Sequence, residues 1–581
     1  MRPETNSTLK GAQSSSPGSS RDEPVGSQKG SSQPSQRKNL SLTLIDHALG
    51  FVADWAAQIS ALPSRARLLA AFILGALSVL SLPPILWLPV MPIAWTGFVW
   101  LLDGATTAKA RASTGWAFGF GYLTFGLYWI SAALFTDIGK YWWMVPLAVT
   151  ALPAALALFW AMAAAVAGLA PARSLPRYLA IVLAFTACEW LRGTVLTGFP
   201  WNLPGYSWLA LPSVMQAAAL ISTYGLTLLV IALSASLACL AYPSLSRRVR
   251  LMPLAVTLGI TILLGIWGQY RLIQNPTTYH NDLVVRLVQP NTSVAVKRDL
   301  SQRQEVLNTL ISLSKRPPAI EEGAEPTIVI WPESAVPYRL TRDEVAREAA
   351  ALAAPDDGYL MAGTGHMEGN GRDLSQTSFY NSIAGIDHRA NLVGRYDKVK
   401  LVPFGEFLPF REALRPLGVD AIAAGSIDFS PGDSQGPARL LPPSLPQPLA
   451  LICYEIIFPS RVDDQVRGAG WIVNVTNDAW FGETAGPYQH FAMAQARAIE
   501  TGLPVVRVAN TGISGVIDPL GRVLVQSGLY QTAVLDLPLP KRLDGLAQMQ
   551  PRLPLYGFAA LFIFACAALT ILCVRTGQEQ R

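Results

Sequence analysis

Three short stretches carry side chains able to do acyl chemistry. In "LALICYEIIFP" (449–459) an apolar run ends on Cys453, with Tyr454 and Glu455 directly behind it. In "IVIWPESAVP" (328–337) a similar run ends on Glu333, between Pro332 and Pro337. In "RYDKVKLVPFGEFLPF" (395–410) Lys398 and Lys400 precede Glu406, which sits in a Pro-Phe-Gly turn. Each has a plain reading when taken singly: a packing thiol, a loop carboxylate, a solvated strand end. Together they make a sufficient set. A thiol becomes a strong nucleophile only on losing its proton. A carboxylate can take that proton as general base. An ammonium favours the thiolate and the oxyanion that forms when sulfur attacks a carbonyl. On a strand, lysines two apart share one face, so spacing alone leaves Lys398 and Lys400 both open.

Other chemistries find little support. The five cysteines form no CxxC pair, and four of them (Cys188, Cys239, Cys566, Cys573) lie in apolar runs. The five histidines are scattered and form no HExxH, and G-x-S-x-G is missing. No metal and no organic cofactor is expected.

Strands that end on polar or glycine residues must position these groups. "DLVVRLVQPN" (282–291), "TIVIWPES" (327–334), "YLMAGTG" (359–365), "SIAGI" (382–386), "LALICYE" (449–455), "WIVNVTND" (471–478) and "VVRVANTG" (505–512) have that form. Helical patterns intervene at 299–315, 342–353 and 487–500, and 515–525 reads as a hairpin. Alternation of this kind predicts an α/β domain, in which chemistry gathers where strands end.

The rest of the chain is membrane-like. Of 581 residues, 51% are apolar and only 14% charged, against about a quarter charged in an ordinary soluble domain. A crossing needs about 20 apolar residues. On that basis 68–102 holds two spans around Pro83-Pro84. Further spans fall at 112–136, 141–170, 177–192, 213–242, 251–270 and 553–574. Residues 1–39 are rich in Ser, Gly, Gln and Pro and are expected to be disordered; 40–62 are expected to form an interfacial helix. "GFPWNLPGYSW" (198–208) reads as an interfacial aromatic belt, and Glu189 with Arg192 as a structural ion pair at the membrane edge. Lys109, Arg111, Arg173, Arg177, Arg247, Arg248 and Arg250 fall on alternate returns. This positive-inside pattern puts the N-terminus in the cytoplasm and 275–550 outside it. The net charge of +6 is mild and points to membrane topology rather than nucleic acid.

Five motifs in order, "GFPW", "WPESAVP", "KVKLVPFGEFLP", "CYEIIFP" and "NVTNDAWFG", resemble those of the bacterial apolipoprotein N-acyltransferases, the membrane-embedded branch of the nitrilase superfamily. The likeness runs from about residue 65 to 575. It implies a polytopic helical membrane domain (63–274, about seven spans), a periplasmic αββα nitrilase-like domain (275–550), a last span (551–575) and a cytoplasmic tail (576–581) in the bacterial inner membrane. It implies Glu333 as base, Cys453 as nucleophile and Lys398, eight residues before the PFGE glutamate, as the stabilising lysine. Glu406, Tyr454 (through its backbone N–H) and Glu455 would support them, and Trp480 and Phe481 would lie near the substrate. The donor would be a membrane phospholipid and the acceptor a diacylglyceryl apolipoprotein, with a Cys453 thioester between them and the enzyme working as a monomer. The chain departs from the family at Lys297-Arg298, where Lys-Trp is common. The rival readings are a membrane-anchored amidase acting on a small C–N substrate and a transporter or scaffold with an inactive domain. Labelled phospholipid separates them.

Overall fold

The computed structural model describes residues 35–318, 325–369, 376–414, 428–433, 438–459, 466–544 and 552–579. The disorder expected for 1–39 lies outside the described residues up to 34, whereas 35–39 begin a helix, Ser35–Ser60 (α1). The chain divides into two units at Gly50/Phe51, and everything below concerns the second.

Helices stand at each of the eight positions where a span is expected. They are Ser64–Ser78 (α2), Val90–Asp103 (α3), Ala108–Leu127 (α4), Val145–Ala167 (α5), Leu175–Thr194 (α6), Ala218–Ser236 (α7), Arg247–Gln274 (α8) and, near the C-terminus, Leu553–Glu579. Six helical stretches among the described residues are long and apolar enough to cross a membrane. The other two of the eight are α3, which is too short, and α6, which carries Arg177, Glu189 and Arg192.

Among the described residues, eleven strands form two sheets. The first orders Ala533–Pro540 (β11), Tyr279–Gln289 (β1), Ile328–Ile330 (β2), Tyr359–Glu368 (β3), Ser378–Asp387 (β4) and Leu392–Asp397 (β5). The second orders Val523–Gln526 (β10), Gly515–Ile517 (β9), Val505–Ala509 (β8), Trp471–Thr476 (β7) and Pro448–Ile452 (β6). The period of two along each strand sorts the side chains. Ile328 and Ile330 face Ala450, Ile452, Val473 and Val506 in the core between the sheets. Val329 faces outward, into a cluster with the helices Arg303–Ser314 (α9) and Glu344–Ala351 (α10). Leu449 and Leu451 face the other way, onto Ala485–Thr501 (α11) and into the core of the membrane helices. The result is an αββα sandwich whose second helical layer is continuous with the membrane part.

Glu500 of α11 fastens that junction. Helix α7 is broken at Ser222 (φ 61°), and the Glu500 carboxylate accepts from the Thr223 N–H at 2.7 Å and hydroxyl at 2.6 Å. A carboxylate there satisfies a donor that the break leaves open.

One expectation needs correction. The 198–208 loop is not an interfacial belt: Trp201, Tyr206 and Trp208 are fully buried in protein. The Glu189–Arg192 ion pair forms as expected and is fully buried. Its carboxylate accepts from the Trp160 indole at 2.6 Å, and Arg192 donates to the Phe199 carbonyl at 2.5 Å. A buried guanidinium needs such partners, and these tie the loop to α6.

Candidate active site

Cys453 follows β6 and opens a short 3-10 turn, Cys453–Ile457. Its φ is +49°, a left-handed conformation that costs a non-glycine residue about 1–3 kcal/mol and clusters at functional sites. Glu333 follows β2 by three residues. Its loop lies close against β3: a Cβ at Gly363 would stand 2.1 Å from the Pro332 carbonyl, so glycine is required there.

Lys398 lies just past the end of β5, and so does Lys400. The two therefore do not share a strand face. Lys398 turns inward and is buried, with its Nζ donating to Glu406 Oε1 at 2.9 Å and lying 3.6 Å from Glu333 Oε1. Lys400 instead lies over the Phe458 ring at 5.5 Å. The loop is set by Lys398 N–H donating to the Asn381 carbonyl at 2.8 Å.

The Glu333 carboxylate and the Cys453 thiol are near enough to perturb each other's ionisation. The other partners of that carboxylate are the Asn381 amide at 2.7 Å and the Asn477 N–H at 2.8 Å. Asn381 also donates to Glu406 at 3.0 Å, so one amide spans both acids. Burial raises the Glu333 pKa above its usual value, with Lys398 pulling it back. Burial opposes the Lys398 charge, but Glu406 and Glu333 outweigh it and hold the ammonium above the ordinary lysine range. Burial, then Glu333, push the Cys453 thiol well up, against Lys398. Such a thiol does not ionise unaided. To act as a nucleophile it would need a base to take its proton, and Glu333 stands beside it.

Glu455 is a brace rather than a partner of the thiol. It is fully buried, and its Oε1 accepts from Val399 N–H (2.9 Å) and Lys400 N–H (3.0 Å). Its Oε2 accepts from Tyr396 hydroxyl and Ile452 N–H, each at 2.9 Å. One carboxylate thus joins the lysine loop to the cysteine turn. The Tyr454 hydroxyl donates to the Gly198 carbonyl at 3.0 Å and its ring stacks with Phe199. This links the turn to the "GFPW" loop. Phe481 packs edge-on to Trp129, Trp201 and His490, while Trp480 is half-buried.

Sequence reasoning missed Asn381, Asn477, Lys297 as a neighbour of the base, and a buried group behind the cysteine. Lys297 is half-buried and donates to the Ser334 carbonyl at 3.0 Å. The buried group is His490, Asp478 and Arg507, with His490 3.1 Å from the Cys453 carbonyl. Lone Asn and His residues far apart in sequence offer no local pattern that would have marked them.

Residues 284–541 match the carbon-nitrogen hydrolase family model, and 74–236 match the apolipoprotein N-acyltransferase N-terminal domain. An apolipoprotein N-acyltransferase of Bradyrhizobium diazoefficiens is 42% identical over 82% of this chain and 89% of its own length. One of Rhodopseudomonas palustris is 40% identical over the same shares, 82% and 89%. One of Brucella melitensis is 38% identical over 85% and 93%. With its apolar helices and its αββα domain, the chain is a membrane protein that belongs to the apolipoprotein N-acyltransferase family.

Proposed function

We propose that Cys453 carries an acyl chain from a membrane phospholipid to the α-amine of an apolipoprotein's diacylglyceryl cysteine. The observation that carries this reading is the buried Glu333 carboxylate beside both the Cys453 thiol and the charged Lys398.

In the first half-reaction the thiol proton passes to Glu333 as sulfur bonds to the donor's ester carbon. The carbonyl electrons move to oxygen, facing Lys398 and the Tyr454 N–H. Collapse breaks the bond to the glycerol oxygen, which takes the proton from Glu333 and leaves as lysophospholipid. In the second half-reaction the acceptor amine attacks the thioester carbon and gives its proton to Glu333. The thiolate leaves and is reprotonated. Splitting the transfer this way replaces one hard step with two easier ones. Both substrates are lipids, which accounts for a sandwich whose helical layer merges with membrane helices.

The reading places 63–274 and 551–575 in the bacterial inner membrane and 275–550 on the periplasmic side, with α1 at the interface and the enzyme acting as a monomer. The charge asymmetry of the loops supports it.

The test is intact-protein mass measurement after exposure to phospholipid without acceptor. The expected result is one acyl group on Cys453, discharged by a diacylglyceryl peptide and missing in Cys453→Ala. Acylation persisting in Cys453→Ala refutes the nucleophile, and release of free fatty acid with no transfer to peptide favours the hydrolase reading.

A further inference from the structure

We propose that His490 is a positioning residue for the oxyanion site: by holding the Cys453 carbonyl it aims the Tyr454 N–H at the substrate's carbonyl oxygen. This rests on the reading of Tyr454 given above.

His490 lies on α11 and is fully buried. Its Nε2 is 3.1 Å from the Cys453 carbonyl oxygen. A carbonyl only accepts, so Nε2 carries the hydrogen. Its Nδ1 lies 3.0 Å from both Arg507 Nη2 and Asp478 Oδ1. Arg507 Nη2 also donates to Asp478 Oδ2 at 2.7 Å, and Arg507 Nη1 to Asn474. The Thr476 hydroxyl donates to Asp478 Oδ1 at 2.9 Å. Burial, then Arg507, lower the His490 pKa, against Asp478. The hydrogen on Nε2 is fixed by the Cys453 carbonyl, while Nδ1 stands between a donor, Arg507 Nη2, and an acceptor, Asp478 Oδ1. Burial opposes the Asp478 charge, but Arg507 and His490 outweigh it and bring its pKa to about 2. The ring is thus held by Asp478, just past the end of β7, and by Arg507, in the middle of β8.

Both nitrogens being engaged, His490 is not a base for the thiol. Its grip falls on the peptide unit between Cys453 and Tyr454. A trans peptide is planar, with C=O and N–H pointing oppositely. A donor fixed on the Cys453 oxygen therefore fixes the Tyr454 N–H toward the other side of the plane. The same bond polarises the amide and strengthens that N–H as a donor. Cys453, at φ +49°, is in a conformation that surrounding structure must impose, and His490 supplies that hold from behind.

The test separates oxyanion chemistry from thiol chemistry in the full-length protein. Acylation by phospholipid needs an oxyanion donor, whereas alkylation of Cys453 by iodoacetamide displaces iodide at saturated carbon and needs none. In His490→Leu, single-turnover acylation is expected to fall by about 10²-fold, the scale of one oxyanion donor, with alkylation unchanged. His490→Gln keeps an N–H donor and is expected to regain most of the loss. Wild-type acylation in His490→Leu overturns the inference. So does a parallel change in alkylation, which would mark general support of the turn. A wild-type chain that alkylates at Cys453 yet forms no thioester instead overturns the nucleophile reading beneath it.

Discussion

Replacing Glu455 by glutamine tests whether the lysine loop and the cysteine turn are held as one body. The carboxylate accepts four hydrogen bonds and is fully buried. A glutamine must turn its NH2 toward one pair of these donors. Facing Val399 and Lys400 it would meet two backbone N–H groups, neither able to accept. Facing Tyr396 and Ile452 it meets a hydroxyl that can rotate and accept, and one N–H that cannot. The second orientation wins and leaves the Ile452 N–H unpaired. An orphaned buried donor costs about 1–3 kcal/mol, and the remaining bonds lose their charge assistance. The total is about 2–4 kcal/mol, directed at the joint between Lys398 and Cys453. Even about 1.4 kcal/mol of that lost in the transition state slows acylation about tenfold. Single-turnover thioester formation, followed by mass, should show at least that drop in Glu455→Gln, and a larger one in Glu455→Ala. Wild-type acylation in Glu455→Gln would refute the reasoning, because no orientation of the amide satisfies all four donors.

Lys398→Ala should abolish acylation, whereas Lys400→Ala should leave most of it, since only Lys398 reaches the two carboxylates; comparable losses would undo the assignment. Glu333 must be ionised to act as base, and burial raises its pKa above 4.5. Activity should therefore be present at higher pH and fall through an acid limb above 4.5, with an apparent value belonging to the coupled cluster. Asn381→Leu removes a hydrogen bond that favours the charged form, so its acid limb should move to higher pH; a limb that stays or moves lower contradicts the assignment. Glu333→Gln keeps the shape but loses the base, and should slow acylation by about 10²–10⁴-fold, read by the same mass assay.

Much of the architecture was legible in the sequence because it is local. A β-branched run with a period of two reads as a strand wherever it stands. The runs at 282–291, 327–334, 449–455 and 471–478 became β1, β2, β6 and β7. The short run Ala533–Pro540 was not read as a strand, and it became an edge strand of the first sheet. An edge strand is paired on one side only and need not be strongly apolar, so its signal is weak.

What the sequence by itself determined is the inventory and its order: an apolar helical part, an α/β part, and a thiol, a carboxylate and an ammonium each placed where a strand ends. Periodicity and composition suffice for that, because they act on neighbours along the chain. Which groups meet was decided by tertiary structure. Lys398 rather than Lys400 turns inward because the loop after β5 is pinned by Asn381 and Glu455. Glu455, two residues from the thiol, serves the backbone, while Glu333, past the end of another strand, stands beside the thiol. The aromatic 198–208 loop is an interior part rather than an exposed belt, and Glu189 and Arg192 pair out of reach of solvent. Burial decides each case: a charged or polar group removed from water must find its partner in space, and that partner is set by the packing of sheets and helices, not by distance along the chain.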